Sequence, residues 1–236
     1  MIIFASMTLI APHYNKANKN ALIQFFKKDR YFVKTPWWIK KLYPGCVWDI
    51  EPKNKTLYFS FDDGPHPTIT SYILNLLKKY NAGATFFCIG QNVQNYPEVY
   101  KQIIEEGHSV GNHTEHHFNG WKTSDEDYIR DIVEANDKIG SSLFRPPYGR
   151  IKKTQMRLLK EKYPAMKIIM WNILAGDWDE NLKPGRCFEQ IRSKISDGDI
   201  IVFHDIDKAF PRLEYALPRL LEEYAEKGYQ FKKIVG

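Results

Sequence analysis

Leu57-Tyr58-Phe59-Ser60-Phe61-Asp62-Asp63-Gly64-Pro65 is the stretch on which the fold turns. Apolar residues alternate from Leu57, two adjacent carboxylates follow, and Gly64-Pro65 stops the run. The pattern predicts a strand that presents two acids at its carboxyl end. Neighbouring side chains on a strand face opposite ways, so Asp62 and Asp63 need not do the same job. Taken alone, the stretch also reads as a capped turn, because Asp-Gly-Pro is ordinary loop chemistry.

Working outward, strand and helix alternate about seven times after Thr56. Strands are expected over residues 57–61, 84–89, 109–112, 143–145, 167–173, 199–203 and 229–234. Helices are expected over 69–80, 97–106, 124–139, 153–162, 188–195 and 212–227. Ile69, Ile73, Leu76, Leu77 and Tyr80 have the spacing of one helix face. Pro97 opens a helix, Gly107 closes it, and Ser124 is a plausible cap ahead of three acids. Such alternation implies a parallel sheet with helical crossovers, and apolar runs such as Ile200-Ile201-Val202-Phe203 suit strands covered on both faces. The expectation is a single α/β domain: a distorted (β/α) barrel of about seven strands, with its active site at the carboxyl ends of the strands.

Before that rhythm, residues 1–30 read as an N-terminal extension without visible chemistry, leaving 31–236 as the catalytic domain. Residues 1–11 are apolar but short, with no preceding basic residue and no A-x-A site, a poor signal peptide and too short to span a bilayer. No other stretch approaches a membrane-spanning length. Trp37 and Trp38 lie between Pro36 and Pro44 and are expected on a short helix packed against the domain, with a membrane-surface or glycan contact as the alternative reading. A length of 236 residues with 43% hydrophobic and 26% charged residues suits a soluble globular protein. The net charge of +6 is spread without a Lys/Arg run. It reads as a solvated basic surface with at most weak attraction to anionic polymers, and no nucleic-acid partner is expected. Three cysteines without C-x-x-C spacing argue against a disulfide framework or thiolate zinc site.

Unusual polar residues follow the expected strands: Asp62 and Asp63, then His113 and His117, then Arg145, then Asp177-Trp178, then His204-Asp205. In a parallel barrel these strand ends meet at one mouth, so residues distant in sequence converge. His113 and His117 are four apart, and one helical turn would put both rings on the same side, with His116 an alternative partner. Two imidazoles and a carboxylate suit Zn²⁺, and less selectively Co²⁺ or Ni²⁺. Arg145 also reads as a plain structural ion pair, and Asp177-Trp178 as loop packing.

The chain resembles the polysaccharide deacetylases, the carbohydrate esterases homologous to chitooligosaccharide deacetylase. Ser60 to Pro65 looks like their first motif and His113-Thr114-Glu115-His116-His117 like their His-Thr-x-x-His motif. Arg145-Pro146-Pro147-Tyr148-Gly149, Asp177-Trp178 and Val202-Phe203-His204 follow in the family's order. The resemblance covers Thr56 to the C-terminus and implies the distorted barrel already expected. It implies that Asp63, His113 and His117 hold one divalent metal and that Asp62, paired with Arg145, is the general base. His204, supported by Asp177, is the implied acid, the backbone N–H of Tyr148 steadies the oxyanion, and Trp178 with Val202 lines a pocket for the acetyl methyl. Leu174 stands where many relatives carry an acid three residues before the Asp-Trp pair, and Val202 replaces the commoner Leu.

The implied activity is metal-dependent removal of N-acetyl, or O-acetyl, groups from a glycan such as peptidoglycan or a chitin-like oligomer. Hydrolysis of a small non-peptide C–N substrate and a catalytically silent glycan-binding protein are the alternatives. A monomer is expected. Both an envelope-associated and a cytoplasmic location stay open.

Overall fold

The computed structural model describes residues 31–51 and 55–236. The expected extension over 1–30 lies outside the described residues. In chain order the strands are β1 (Cys46–Val47), β2 (Thr56–Asp62), β3 (Ala84–Cys88), β4 (Ser109–Asn112), β5 (Leu143–Phe144), β6 (Lys167–Ile169), β7 (Ile173–Leu174), β8 (Ile200–His204) and β9 (Gln230–Phe231). The helices are α1 (Trp37–Leu42), α2 (Ile69–Lys79), α3 (Gly90–Asn95), α4 (Pro97–Glu105), α5 (Asp125–Ile139), α6 (Lys153–Lys162), α7 (Pro184–Arg192) and α8 (Phe210–Glu226). The strands pair in the order β1-β6-β5-β4-β3-β2-β8-β7, with β9 added to β2, and every named pairing is parallel. The curled sheet with its outer helices is the barrel expected.

β2 is buried along its whole length. Leu57, Phe59 and Phe61 pack outward with Leu217, Leu220 and Leu221 of α8 and with Ile73 and Leu77 of α2. Each such side chain removed from water contributes roughly 1.5–3 kcal/mol. The alternate residues Tyr58, Ser60 and Asp62 face the other side of the sheet. There Tyr58 joins Phe87, Leu143, Ile169, Ile200 and Ile234 in an apolar plug. The barrel interior is therefore filled below by apolar side chains. The Ser124 cap is as expected: its Oγ accepts the Asp127 N–H at 3.1 Å, and α5 ends on left-handed Gly140. All three cysteines are buried and unpaired. No helix among the described residues is long and apolar enough to cross a membrane.

Three expectations change. Residues 167–173 form two strands, not one: β6 pairs with β5, whereas β7 pairs with β8 on the far side of the opening. The reason lies in the backbone partners, since the Met170 N–H bonds Val47 O (2.7 Å) and the Asn172 N–H bonds Ile200 O (3.0 Å). This split and β1 account for nine strands among the described residues where about seven were expected. The second change is α3, a short helix that the apolar spacing did not signal. The third is Trp37, which is exposed under the Lys41 ammonium rather than packed on the domain.

Residues 33–50 stitch the opening between β6 and β7. Lys34 bridges Ile173 and Asp49 bridges Asp199, both antiparallel. Buried Asp199 accepts from the Asn172 amide and from the Ser196 N–H, and lies 3.5 Å from Lys34 Nζ. Asp199→Ala strands the Asn172 amide and is expected to cost about 1–3 kcal/mol in urea unfolding, whereas Lys34→Ala, at a partly exposed pair, costs less than about 1 kcal/mol. Equal small losses in both would mean that backbone bonds alone hold the opening together.

Candidate active site

The mouth is built around a buried ion pair. Arg145 follows β5 and is fully buried. Its Nη1 donates to Asp62 Oδ1 at 2.6 Å and to Ser60 Oγ at 2.8 Å. Its Nε and Nη2 donate to the carbonyls of Ile169 (3.1 Å) and Met170 (3.0 Å). The guanidinium lies 3.9 Å from the centre of the Phe87 ring. Burial pushes the Arg145 pKa down, and the Asp62 carboxylate opposes that shift. Asp62 is thus oriented by a cation with acceptors on three sides.

Asp63 goes elsewhere. Asp62 ends the strand, but Asp63 has φ 82°, a left-handed conformation that costs a non-glycine residue of order 1–3 kcal/mol unless its surroundings hold it. They do: the Asp63 N–H bonds Phe87 O at 3.2 Å, Asn92 donates to Asp63 O at 2.7 Å, and the Ile89 N–H bonds Gly64 O at 2.9 Å. The turn includes a cis Gly64–Pro65 bond. Asp63 Oδ1 lies 3.4 Å from His113 Nε2 and 3.1 Å from His117 Nε2.

These three residues are a cluster whose ligand atoms lie within 4.8 Å of one another. Asp63 Oδ1 is buried without a hydrogen-bond partner. The Nδ1–H of His113 donates to the Arg145 carbonyl at 2.8 Å; a carbonyl can only accept, so in the neutral ring Nε2 carries the free lone pair. Ligands about 2.0–2.1 Å from a tetrahedral ion stand about 3.3 Å apart, close to the separations seen. The residues therefore fit a divalent cation. Burial works against an ionised Asp63, but the close imidazoles of His113 and His117, with His204 nearby, hold its carboxyl well below the usual range.

The histidine segment corrects one expectation. Residues 113–117 form a loop, not a helical turn, with Thr114 at φ 65° and His117 at φ 56°. The loop is tied to α5 and to β4. Buried Asp131 accepts the N–H groups of Glu115 and His116, each at 3.1 Å, and the His116 ring at 2.6 Å. Asn112 Oδ1 accepts the Thr114 N–H at 2.8 Å. His116 is thereby engaged outside the cluster, and His113 and His117 are the pair brought to Asp63.

Across the mouth, Asp62 pairs in register with His204 of β8. Asp177, fully buried after β7, accepts from the His204 ring Nδ1–H at 2.8 Å and from its backbone N–H at 2.7 Å. Burial alone would lower the His204 pKa, but Asp177, then Asp63 and Asp62, raise it to about 9. The Trp178 ring meets the His204 ring edge-on at 4.8 Å. Val202 is buried one inward position below His204, opposite Leu174. Tyr148 is exposed, has φ 59°, and places its ring 4.6 Å from that of His117.

Every sequence-expected residue thus lies at or just inside the mouth. Sequence reading missed Asn112, Asp131 and Asp205. Asp131 had a signal, a carboxylate three residues after Tyr128 on the buried face that continues through Ile132, Ala135 and Ile139. Asp205 was expected only as a polar residue after a strand, yet it is fully buried, and burial with the nearby charge of Asp63 pushes its carboxyl up to about 7 against the Thr70 hydrogen bond.

The polysaccharide deacetylase family model matches residues 49–163. A peptidoglycan-N-acetylglucosamine deacetylase of Bacillus cereus is 34% identical over 204 residues, covering 83% of this chain and 94% of that protein. The peptidoglycan-N-acetylmuramic acid deacetylase PdaC of Bacillus subtilis is 32% identical over 192 residues, 78% of this chain but only 39% of that protein. The solved PdaC structure superposes with a TM-score of 0.69 at 31% identity, over 78% of this chain and 90% of that one. The crystal structure of the Bc1960 peptidoglycan N-acetylglucosamine deacetylase superposes with a TM-score of 0.75 at 27% identity, over 84% of this chain and 93% of that one. With five motifs gathered at one mouth and relatives matched over most of its length, the chain belongs to the polysaccharide deacetylase family.

Proposed function

We propose that this chain is a metal-dependent deacetylase that hydrolyses the N-acetyl groups of peptidoglycan N-acetylglucosamine. The observation that carries the reading is the pairing of a Asp63-His113-His117 cluster with an Arg145-held acid on one side and an Asp177-held imidazole on the other. The substrate class is supported by the activities named for the relatives.

Asp63, His113 and His117 would hold one divalent cation, zinc before cobalt or nickel. Bound there, it would lower the pKa of water and polarise an acyl oxygen. Asp62 takes the proton of the attacking water, and Arg145 holds its carboxylate in place. The backbone N–H of Tyr148 donates to the developing oxyanion. Amide cleavage needs a proton on the departing nitrogen, and His204, kept as imidazolium by Asp177, delivers it from Nε2 while Nδ1–H stays on the carboxylate. Trp178 and Val202 bound the acetyl methyl.

Acetate release from peptidoglycan fragments is expected to stop on chelation and to return with zinc or cobalt. The same assay with chitin oligomers and acetylated xylan separates N- from O-deacetylation. Saturable glycan binding without metal-dependent acetate release would leave a binding protein and sink the proposal.

Asp62→Asn is expected to lower kcat by at least about 100-fold while bound metal, measured by atomic absorption, persists. His113→Ala loses the metal itself. Near wild-type turnover in Asp62→Asn would remove Asp62 from the role of base.

The raised His204 pKa has a definite sign. The protonated acid is lost as pH rises through its raised pKa, so kcat falls on the alkaline side. Asp177→Asn removes the charge that favours imidazolium and moves that limb lower by about one pH unit or more. An unmoved limb in the pH–rate profile would assign it to another group.

A further inference from the structure

Asp205 follows His204 in the chain but serves a different contact. Its carboxylate accepts the Thr70 hydroxyl of α2, and its backbone N–H donates to the Asp62 carbonyl at 3.2 Å. Thr70 Oγ1 accepts the His66 N–H at 2.7 Å. Gly64 lies directly against the Asp205 carboxylate, so close that a Cβ there would overlap it. Asp205 Oδ1 is buried without a hydrogen-bond partner. Through these contacts one side chain reaches residues on both sides of Pro65.

The turn from Asp62 to His66 is therefore gripped from two directions. Phe87, Ile89 and Asn92 hold it on the β3–α3 side. Asp205 and Thr70 hold it on the β8 side. The first grip fixes the Asp63 backbone. It holds Gly64 only through the Ile89 N–H bond to its carbonyl, and glycine has many more backbone states than its neighbours. Packing of the Asp205 carboxylate onto Gly64 selects one of them. Asp205 is also the next residue after His204, so the same brace fixes the strand end that carries the imidazole.

We infer that Asp205 is a positioning residue that, with Thr70, sets the Asp62 and Asp63 carboxylates relative to each other and to His204. The inference rests on the metal-and-base reading above. It assigns Asp205 no contact with substrate. Outer groups that orient metal ligands typically change metal affinity or activity about 10–100-fold when removed.

The test uses cobalt(II) as the probe, with the full chain and the variants Asp205→Ala, Thr70→Val and Thr70→Ser. Folding is followed by near-ultraviolet circular dichroism, cobalt affinity by competition with a chelator, and ligand geometry by the visible cobalt bands. Asp205→Ala and Thr70→Val are expected to fold, to bind cobalt at least about tenfold more weakly, and to shift the visible bands. Both lower kcat more than they raise KM. Thr70→Ser keeps the hydroxyl and behaves as wild type, a rescue that a mere packing role would not give. Folded variants with wild-type affinity and bands overturn the inference, and if Asp205→Ala does not fold, the near-isosteric Thr70→Val decides. The cobalt readings need no substrate, so a chain that releases no acetate yet shows the expected shifts fails the proposed activity and keeps the inference. A wild-type chain without saturable cobalt binding overturns both.

Discussion

The buried Arg145–Asp62 pair is the contact on which the mouth of the barrel depends. A guanidinium away from water must be fully paired, because the loss of hydration costs several kcal/mol. Here all three nitrogens of the fork donate. It reaches Asp62 and Ser60 on β2, Ile169 at the end of β6, and Met170 where the chain leaves that strand. The backbone of the same residue joins the neighbouring loop, donating from N–H to Asn112 O and accepting from the His113 ring. One residue therefore orients the carboxylate beside the cluster and selects the tautomer of a ring inside it. An ammonium in its place could not satisfy these acceptors at once, since only the planar fork presents donors in those directions.

Around that pair, unfavourable backbone conformations concentrate at the mouth. Asp63, Thr114, His117 and Tyr148 all have positive φ. Such residues persist only where neighbours over-determine them. The neighbours are Phe87 and Asn92 for Asp63, and Asn112 and Asp131 for the histidine loop. The apolar plug beneath supplies the rigid floor. Burial below, strain above and buried carboxylates at the joints leave the cluster little freedom, which is what a site needs if its groups are to hold about 0.5 Å tolerances.

The legible parts of the fold were those with a strong period. Residues 69–80 and 212–227 had apolar stripes, and α2 and α8 bury those stripes almost residue for residue. β2, β3 and β8 were near-continuous apolar runs; β2 and β3 are buried throughout and β8 is buried up to His204. The single strand expected over 167–173 failed because Lys167 to Ile173 is apolar enough for either reading. What divides it is a change of hydrogen-bond partner from Val47 to Ile200, and both partners are far away in sequence.

The site divides along the same line. Which residue types would act was fixed locally: Asp62-Asp63 before Gly64-Pro65, two histidines four apart, Arg145 before two prolines, Asp177-Trp178 and His204. Each is short-range chemistry at a strand end, and parallel topology alone brings strand ends together. How those residues act together was decided by packing. Two adjacent acids part company because Asp63 turns left-handed against Phe87 while Asp62 stays on the strand facing Arg145. His113 and His117 converge through a loop pinned by Asp131, not through a helical turn. The contacts that impose these conformations join residues from 15 to 83 positions apart, and no local pattern records a partner at that distance.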